Sequence, residues 1–397
     1  MELPSGERAS YNFYRVLRSI WRDAGVSRTD LAATHKLDKT TISQIVGELI
    51  DQRLVRVLEV DTSMQRPGRR SELLTVADDW GVVVGIEIRP DEVKACATDM
   101  HANVIATHHH NQVVERANLR DTFFQSLEGI QADDRVYGRP LIGVGMGLSG
   151  IVNRTSQTIT RSIPFNILDP YDVGSQIARR MPVPVIVDND ANCCAWGELV
   201  RGSAERPDNF LFVLTEFRRP ADRHMYGGDI GVGLGFVIDG TVYYGTTGAA
   251  GEFRSVNWHP GYTNQFAIPD SEAHNIVSRP DALPRLVEEL AAHAALLVNV
   301  LDLGAVYIGG DIGPISDLML GAVSAAIENN WPYDEPRGCR VELASLDSDI
   351  VAVGSAAMVL EEIFSEPLLP SGLAQRNRVW KTIFGARQAV RIGEKNG

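Results

Sequence analysis

Val183-Pro184-Val185-Ile186-Val187-Asp188-Asn189-Asp190-Ala191-Asn192 is the stretch on which the fold class turns. A β-branched run stops abruptly in a cluster of carboxylates and amides. Val185–Val187 is too short and too β-rich for a helix and reads as a buried strand. Ala191 to Leu199 has helical composition, so Asn189 and Asp190 fall where a strand ends and a helix begins. In open α/β sheets, ligands bind at that end of the strands. Asx residues also cap helices and turn chains, and on this stretch alone capping is the simpler reading.

The same alternation extends in both directions. Upstream, Gly81–Ile88 reads as a buried strand, with Glu92–Asp99 and Asn103–His108 as antiparallel partners. A helix is expected at Leu119–Gln131, a strand at Leu141–Gly147 and a second helix at Tyr171–Arg180. Downstream, Phe210–Leu214 is a strand. Gly231–Ile238 starts a hairpin that turns at Asp239-Gly240 and returns through Thr241–Tyr244. A long helix spans about Arg285 to Leu301, and Ala305–Ile308 is a strand ending in Gly309-Gly310-Asp311. The order is α/β with a mixed sheet. Two similar α/β lobes in succession point to an internal duplication with a cleft between them.

The chain has 397 residues, 44% hydrophobic and 22% charged, which fits a soluble protein of two or three domains. No apolar run reaches the roughly 18 residues of a membrane span. The start, Met1-Glu2-Leu3-Pro4-Ser5-Gly6, lacks the basic-then-apolar pattern of a signal peptide. Cys96, Cys193, Cys194 and Cys339 have no disulfide or zinc-knuckle spacing, so a cytoplasmic setting is expected. The net charge of −13 argues against nucleic acid as a partner of the whole chain. The first 75 residues differ. They carry twelve Lys and Arg against ten Asp and Glu, a net of +2, which leaves −15 for the remainder. A mildly basic head on an acidic body fits a nucleic-acid module joined to a small-molecule domain.

In that head, Asn12–Trp21 is a helical pattern ended by Gly25. Ser27-Arg28-Thr29-Asp30 reads as a capped start of a short second helix, and Asp38 starts a third. Ile42, Ile45, Val46, Leu49 and Ile50 form one apolar stripe along it. The opposite face offers Lys39, Thr40, Thr41, Ser43 and Gln44, side chains able to meet base edges and phosphates as a recognition helix does; a merely solvated polar face is the alternative. Two strands, Leu54–Val60 and Ser71–Val76, flank Arg66-Pro67-Gly68-Arg69-Arg70. Arg66, Arg69 and Arg70 thus top a β-wing able to enter a minor groove. The expectation is a winged helix-turn-helix over residues 1–77.

Taken in order, the motifs resemble the ROK family of sugar kinases and sugar-responsive repressors, over about Asn12 to Ile363. They are Gly147–Gly150, Asn189-Asp190, Gly231/Gly233/Gly235, Gly248-Ala249-Ala250-Gly251-Glu252, Gly309-Gly310, and Val353-Gly354-Ser355-Ala356-Ala357 ahead of the last helix. The head resembles that of the repressor branch, which includes the xylose and N-acetylglucosamine repressors. The resemblance implies an actin-like, ribonuclease-H-like duplicated fold. Its first lobe would span 81–186, joined by a C-terminal helix within 352–397, and its second lobe 187–351. It also implies a sugar or sugar-derivative effector, operator DNA as partner, and a homodimer or homotetramer.

By that resemblance Asn189, Asp190 and Glu252 would hydrogen-bond the sugar, with Asn166, Ser255 and His259 as further contacts. A turn role for Asn166 and a hairpin-end role for Glu252 stay open. In family kinases the aspartate matching Asp190 is the general base. The departures argue against catalysis here. Glu87-Ile88-Arg89-Pro90-Asp91-Glu92 stands where the kinases carry a glycine-rich phosphate turn; proline removes an N–H and the acids repel a triphosphate. Residues 216–224 interrupt the second phosphate loop. Ser255 stands at the family's zinc histidine and no cysteine run follows, so neither metal nor cofactor is expected. The expected function is a sugar-responsive regulator rather than an enzyme. The alternatives are an ATP-dependent sugar kinase with a DNA-binding head and a DNA-binding protein whose pocket has fallen out of use.

Overall fold

The structure, a computed structural model, describes all residues except 1–6, 59–71, 202–204, 218–229, 347–348, 368–369 and 396–397. The three basic wing residues Arg66, Arg69 and Arg70 therefore lie outside the described residues, as does most of the 216–224 interruption.

The head begins with α1 (Glu7–Arg22), β1 (Val26–Ser27), α2 (Arg28–His35), α3 (Lys39–Asp51), β2 (Val55–Val57) and β3 (Leu73–Val76). The Ser27 side chain accepts from Asp30 N while the Asp30 carboxylate accepts from Ser27 N, a reciprocal cap that fixes where α2 starts. Asp38 does the same for α3 by accepting from Thr41 N at 2.8 Å. Ile42, Ile45, Val46 and Leu49 are buried against Phe13, Leu17 and Ile20 of α1. The strands pair antiparallel in the order β1-β3-β2. Asp78–Trp80, read from sequence as a linker, is a single 3-10 turn whose Trp80 is fully buried.

The body repeats one plan twice. The first sheet holds β4 (Val82–Ile88), β5 (Glu92–Thr98), β6 (Val104–Asn111), β7 (Leu141–Leu148) and β10 (Val185–Asn189). Within this repeat lie α4 (Leu119–Gln131), the small hairpin β8 (Ile151–Asn153) and β9 (Thr158–Arg161), and α5 (Val173–Ala178). It ends with α6 (Asp190–Arg201). The helix expected at Tyr171–Arg180 is shorter because Tyr171 pairs with Ile159 as an isolated bridge and Asp172 caps Ser175 N. The second sheet holds β11 (Phe210–Phe217), β12 (Ile230–Ile238), β13 (Thr241–Val242), β14 (Ala305–Gly310) and β15 (Arg340–Leu343). Around it lie α7 (Asp270–Ala273), α8 (Leu283–Leu301) and α9 (Ser316–Asn329). α10 (Ile350–Phe364) and α11 (Pro370–Lys395) close the chain. Val353–Ala357 lies inside α10, and α11 follows. In both sheets an antiparallel meander (β4-β5-β6, β11-β12-β13) is extended by two parallel strands, giving the orders β10-β7-β4-β5-β6 and β13-β12-β11-β14-β15.

The closing helix of each repeat packs on the other repeat's sheet. α10 lies against β4 and β7, α6 lies against β12 and β11, and the two helices pack on each other. The middle of the molecule is thus sheet, helix, helix, sheet. Close approach needs glycine at two points. A Cβ at Gly85 of β4 would stand 1.8 Å from the Ala352 carbonyl oxygen, and one at Gly354 of α10 would stand 1.9 Å from that of Cys193. Asn189-Asp190 is therefore where the chain leaves the first sheet for the second.

The core of the α6–α10 layer is continuous with that of the head. Trp21 of α1 stacks on Phe364 of α10, centroids 4.8 Å apart. Its Nε1 donates to Met100 O. Glu361 accepts from Arg18 at 2.7 Å and from Arg22 at 2.6 Å. Among the described residues, no helix is long and apolar enough to cross a membrane.

Candidate functional site

Where β7 and β10 end opposite β11 and β12, two adjoining cavities open between the sheets. One, of about 180 Å³, is lined by Glu87, Arg89, Pro164, Asp190, Glu216 and Asp311 among others. The other, of about 80 Å³, is lined by Asn189, Asp190, Glu216, Glu252, Gly233 and Gln265 among others. Ser149, Asp190 and Glu216 line both.

Asn189 is the last residue of β10. Its Oδ1 accepts from Ala191 N at 2.9 Å and Asn192 N at 3.3 Å, while its Nδ2 donates to Gly150 O at 3.0 Å. It therefore caps α6 and ties that cap to the glycine loop after β7. Asp190, buried at the first turn of α6, accepts from Ala191 N at 2.7 Å. Desolvation pushes its carboxyl well above the usual range, and Glu216, Glu252 and Glu87 push it further. Glu252 faces Gly233 of β12 across an isolated bridge. Its carboxyl opens to the cleft and is also raised by desolvation.

Glu87 on β4 is 3% exposed, and burial raises its pKa to about 7 against the pull of Lys94 and Arg89. Lys94 Nζ, on the paired position of β5, stands 4.0 Å from it. Arg89 reaches across the cleft. It donates to Asp311 Oδ2 at 2.9 Å and to Phe217 O at 3.4 Å, and lies 3.7 Å from Glu216. Burial opposes its charge, but Glu216, Glu87 and Asp311 outweigh that and hold it firmly protonated. Carboxylates in this number, Asp190 and Glu87 of them buried, suit hydroxyl donors, each able to accept from two.

The cavities thus bring Asn189, Asp190 and Glu252 together. The other expected contacts lie apart. Asn166 adopts a left-handed backbone at φ 51° and lines a separate depression with Arg116 and Tyr171. Ser255 is buried, its Oγ accepting from Asn257 N. His259 is exposed, its ring edge-on to Tyr262. Reading the sequence did not single out Glu216 or Gln265. Gln265 holds the pocket wall through Val232 N, Val232 O and Phe253 O; a lone amide in an irregular segment carries no periodic signal.

The residues around Ser255 do not fit the zinc ion that the family resemblance implies. Among the described residues no three His, Cys, Asp or Glu side chains are gathered in metal-binding geometry. The segment is held instead by Asp270, which accepts from Thr263 N, Asn264 N and Asn264 Nδ2.

At the head, Lys39, Thr40, Ser43 and Gln44 share the exposed face of α3. The Thr41 hydroxyl donates to Asp38 at 2.7 Å, so it belongs to the cap as well as to that face.

Residues 83–254 match the ROK family. The "Xylose repressor" of Bacillus spizizenii is 25% identical over 240 residues, 60% of this chain and 58% of that protein. The match thus spans little more than half of that relative. Among solved structures, a ROK family transcriptional regulator described as a homologue of the E. coli MLC protein superposes with a TM-score of 0.71 at 17% identity, covering 95% of this chain and 99% of that one. A ROK family glucokinase from Streptomyces griseus in complex with glucose and AMPPNP gives 0.55 at 19% identity, covering 70% and 99%.

Proposed function

From a chain that carries a ROK family domain, we propose a sugar-responsive transcriptional repressor that binds operator DNA. Residues 1–77 form its winged helix-turn-helix, with Lys39, Thr40, Ser43 and Gln44 facing the major groove. Arg66, Arg69 and Arg70, outside the described residues, are its further DNA contacts. The sugar site is Asn189, Asp190 and Glu252, with Glu216 as their neighbour. The observation that carries the reading is one solid core running from the α6–α10 layer into the head. α6 starts at Asp190, and the Leu199 carbonyl in its last turn accepts from Arg22 of the head. A ligand that shifts α6 against α10 therefore moves the head.

Operator half-sites one DNA turn, about 34 Å, apart tolerate little misplacement of two recognition helices in a dimer. A coupling of about 1–3 kcal/mol changes operator affinity about 5- to 150-fold. Phosphoryl transfer is not part of the proposal. Pro90 offers no N–H at the first loop, and Arg89 is committed to Asp311.

A thermal-shift panel of sugars and sugar phosphates tests it, followed by operator binding with and without the hit. A sugar that stabilises the protein and weakens operator binding is expected. A panel in which nothing binds would sink the sugar site. ADP release that depends on a sugar and is lost in Asp190→Asn would replace the repressor with the kinase that the likeness to glucokinase keeps in view.

A further inference from the structure

Arg89 is placed to do something that neither sugar binding nor DNA binding accounts for. It follows β4, in the first sheet, yet among the described residues its side-chain hydrogen bonds and ion pairs reach into the second. Asp311 follows β14, and Glu216 and Phe217 end β11. The receiving side is itself braced. Asp311 Oδ2 also accepts from Phe217 N at 2.9 Å, and Asp311 N donates to Thr215 O at 2.8 Å. One planar guanidinium thus meets a preformed cradle of two carboxylates and a carbonyl, the geometry that suits arginine and not lysine. Its side chain is only 15% exposed, so water screens the contact weakly. Glu216, one of its partners, lines both cavities and faces Asp190.

We propose that Arg89 is an internal latch. It holds the two sheets together across the cleft and, by drawing on Glu216, fixes the wall that the two cavities share. Arg89 is a positioning residue in this role: it acts on a pocket through Glu216. The latch does not depend on the pocket's being a sugar site, and its test needs no ligand.

The test is a distance between the lobes in the full chain. Tyr137, 78% exposed beside α4, and Val300, 70% exposed on α8, are replaced by cysteine and spin-labelled. Cys339 is changed to Ser; Cys96, Cys193 and Cys194 are buried. Arg89→Gln is expected to broaden the distance distribution and move it to longer values. Asp311→Asn keeps an acceptor for Phe217 N–H and removes only the ionic partner, so it is expected to do the same if Arg89→Gln folds poorly. The double variant should open the cleft no further than Arg89→Gln alone, because Arg89→Gln already removes the contact with Asp311. Arg89→Lys keeps the charge but loses the fork, and should restore the distance only in part, with an opening that grows with salt. A folded Arg89→Gln or Asp311→Asn protein with an unchanged distribution would overturn the latch. So would openings that add in the double variant.

Discussion

Asp188 and Asp190 stand two positions apart, both buried, and desolvation raises both carboxyls. Their surroundings are opposite. Asp188 accepts from Asn189 N at 2.7 Å, Asn192 Nδ2 at 3.1 Å and the Tyr244 hydroxyl at 2.8 Å. Arg154 supplies the counter-charge, and Arg154 is itself paired with Glu362 at 3.2 Å. Each cause after burial pulls the Asp188 carboxyl back down. Among the described residues, Asp190 has one backbone donor and three carboxylates pressing on it. Burial alone does not separate a structural acid from a binding one; the balance of partners does. Asp188 is a finished knot, whereas Asp190, among the described residues, has more repulsion than partners, as the proposed binding role requires.

The contrast is most exposed to failure at Asp188. Asp188→Ala takes the acceptor from the Tyr244 hydroxyl and from Asn192 Nδ2 in the interior and leaves Arg154 with Glu362 as counter-charge, and should cost about 4 kcal/mol, read as a drop in the urea midpoint at unchanged slope. A loss below about 1 kcal/mol would mean that the knot contributes no more than a surface contact.

The carboxylates on Asp190's side should make stability fall as pH rises. Glu87 has a folded pKa of about 7 against an ordinary 4.5, so the folded protein holds its proton more tightly. The stability this gives is complete below about pH 4.5 and is lost as pH rises through 7. At about 1.36 kcal/mol per unit the whole effect is at most about 3–4 kcal/mol. Glu87→Gln should flatten the profile between pH 5 and 8 without abolishing the slope, because Asp190 and Glu252 shift in the same direction. A profile as steep as that of the unaltered protein would remove Glu87 from the account.

Tyr244→Phe tests the knot more gently. The lost hydroxyl accepts from Trp196 Nε1 and donates to Asp188. Its removal leaves Trp196 Nε1, Asp188 and Arg154, which also donates to that hydroxyl, each short of a partner, at a cost of about 2 kcal/mol. In the Asp188→Ala background the same change should cost clearly less, since the two share a network. Full additivity would show that the contacts act separately.

Much of the fold could be read directly. Ser27 and Asp30 announced a helix start, and the β-branched runs of β4, β7 and β10 announced strands, because those signals are local. α9 and β15 were not singled out. α9 is built of small and apolar residues with a weak stripe, and β15 is a half-exposed edge strand. At the site, a strand ending in carboxylates was legible, but the division of labour within it was not. Which of Asp188 and Asp190 meets Arg154 depends on where the crossing from one sheet to the other turns each side chain. The departure at Glu87–Glu92 could be read as an obstacle to phosphate, but not the role of Arg89 within it, because its partner Asp311 lies 222 positions away and no local pattern joins them.

The smallest expected change in stability, and the most telling, is at Asp190 itself. Asn has almost the same shape, still offers an oxygen to Ala191 N, and carries no charge to desolvate beside Glu216, Glu252 and Glu87. Asp190→Asn should therefore leave the protein unchanged or stabilise it by about 1 kcal/mol, opposite in sign to Asp188→Ala. If the proposed sugar site is right, the response to a sugar should fall to nothing, because an amide accepts from fewer hydroxyls than a carboxylate and places donors where the sugar's own donors point. The two readouts together exclude a damaged fold, since a misfolded variant loses both. If Asp190→Asn instead lost stability as Asp188→Ala does, the carboxylate would be a second structural acid, and the cleft would have to bind through Glu252 and Glu216 alone.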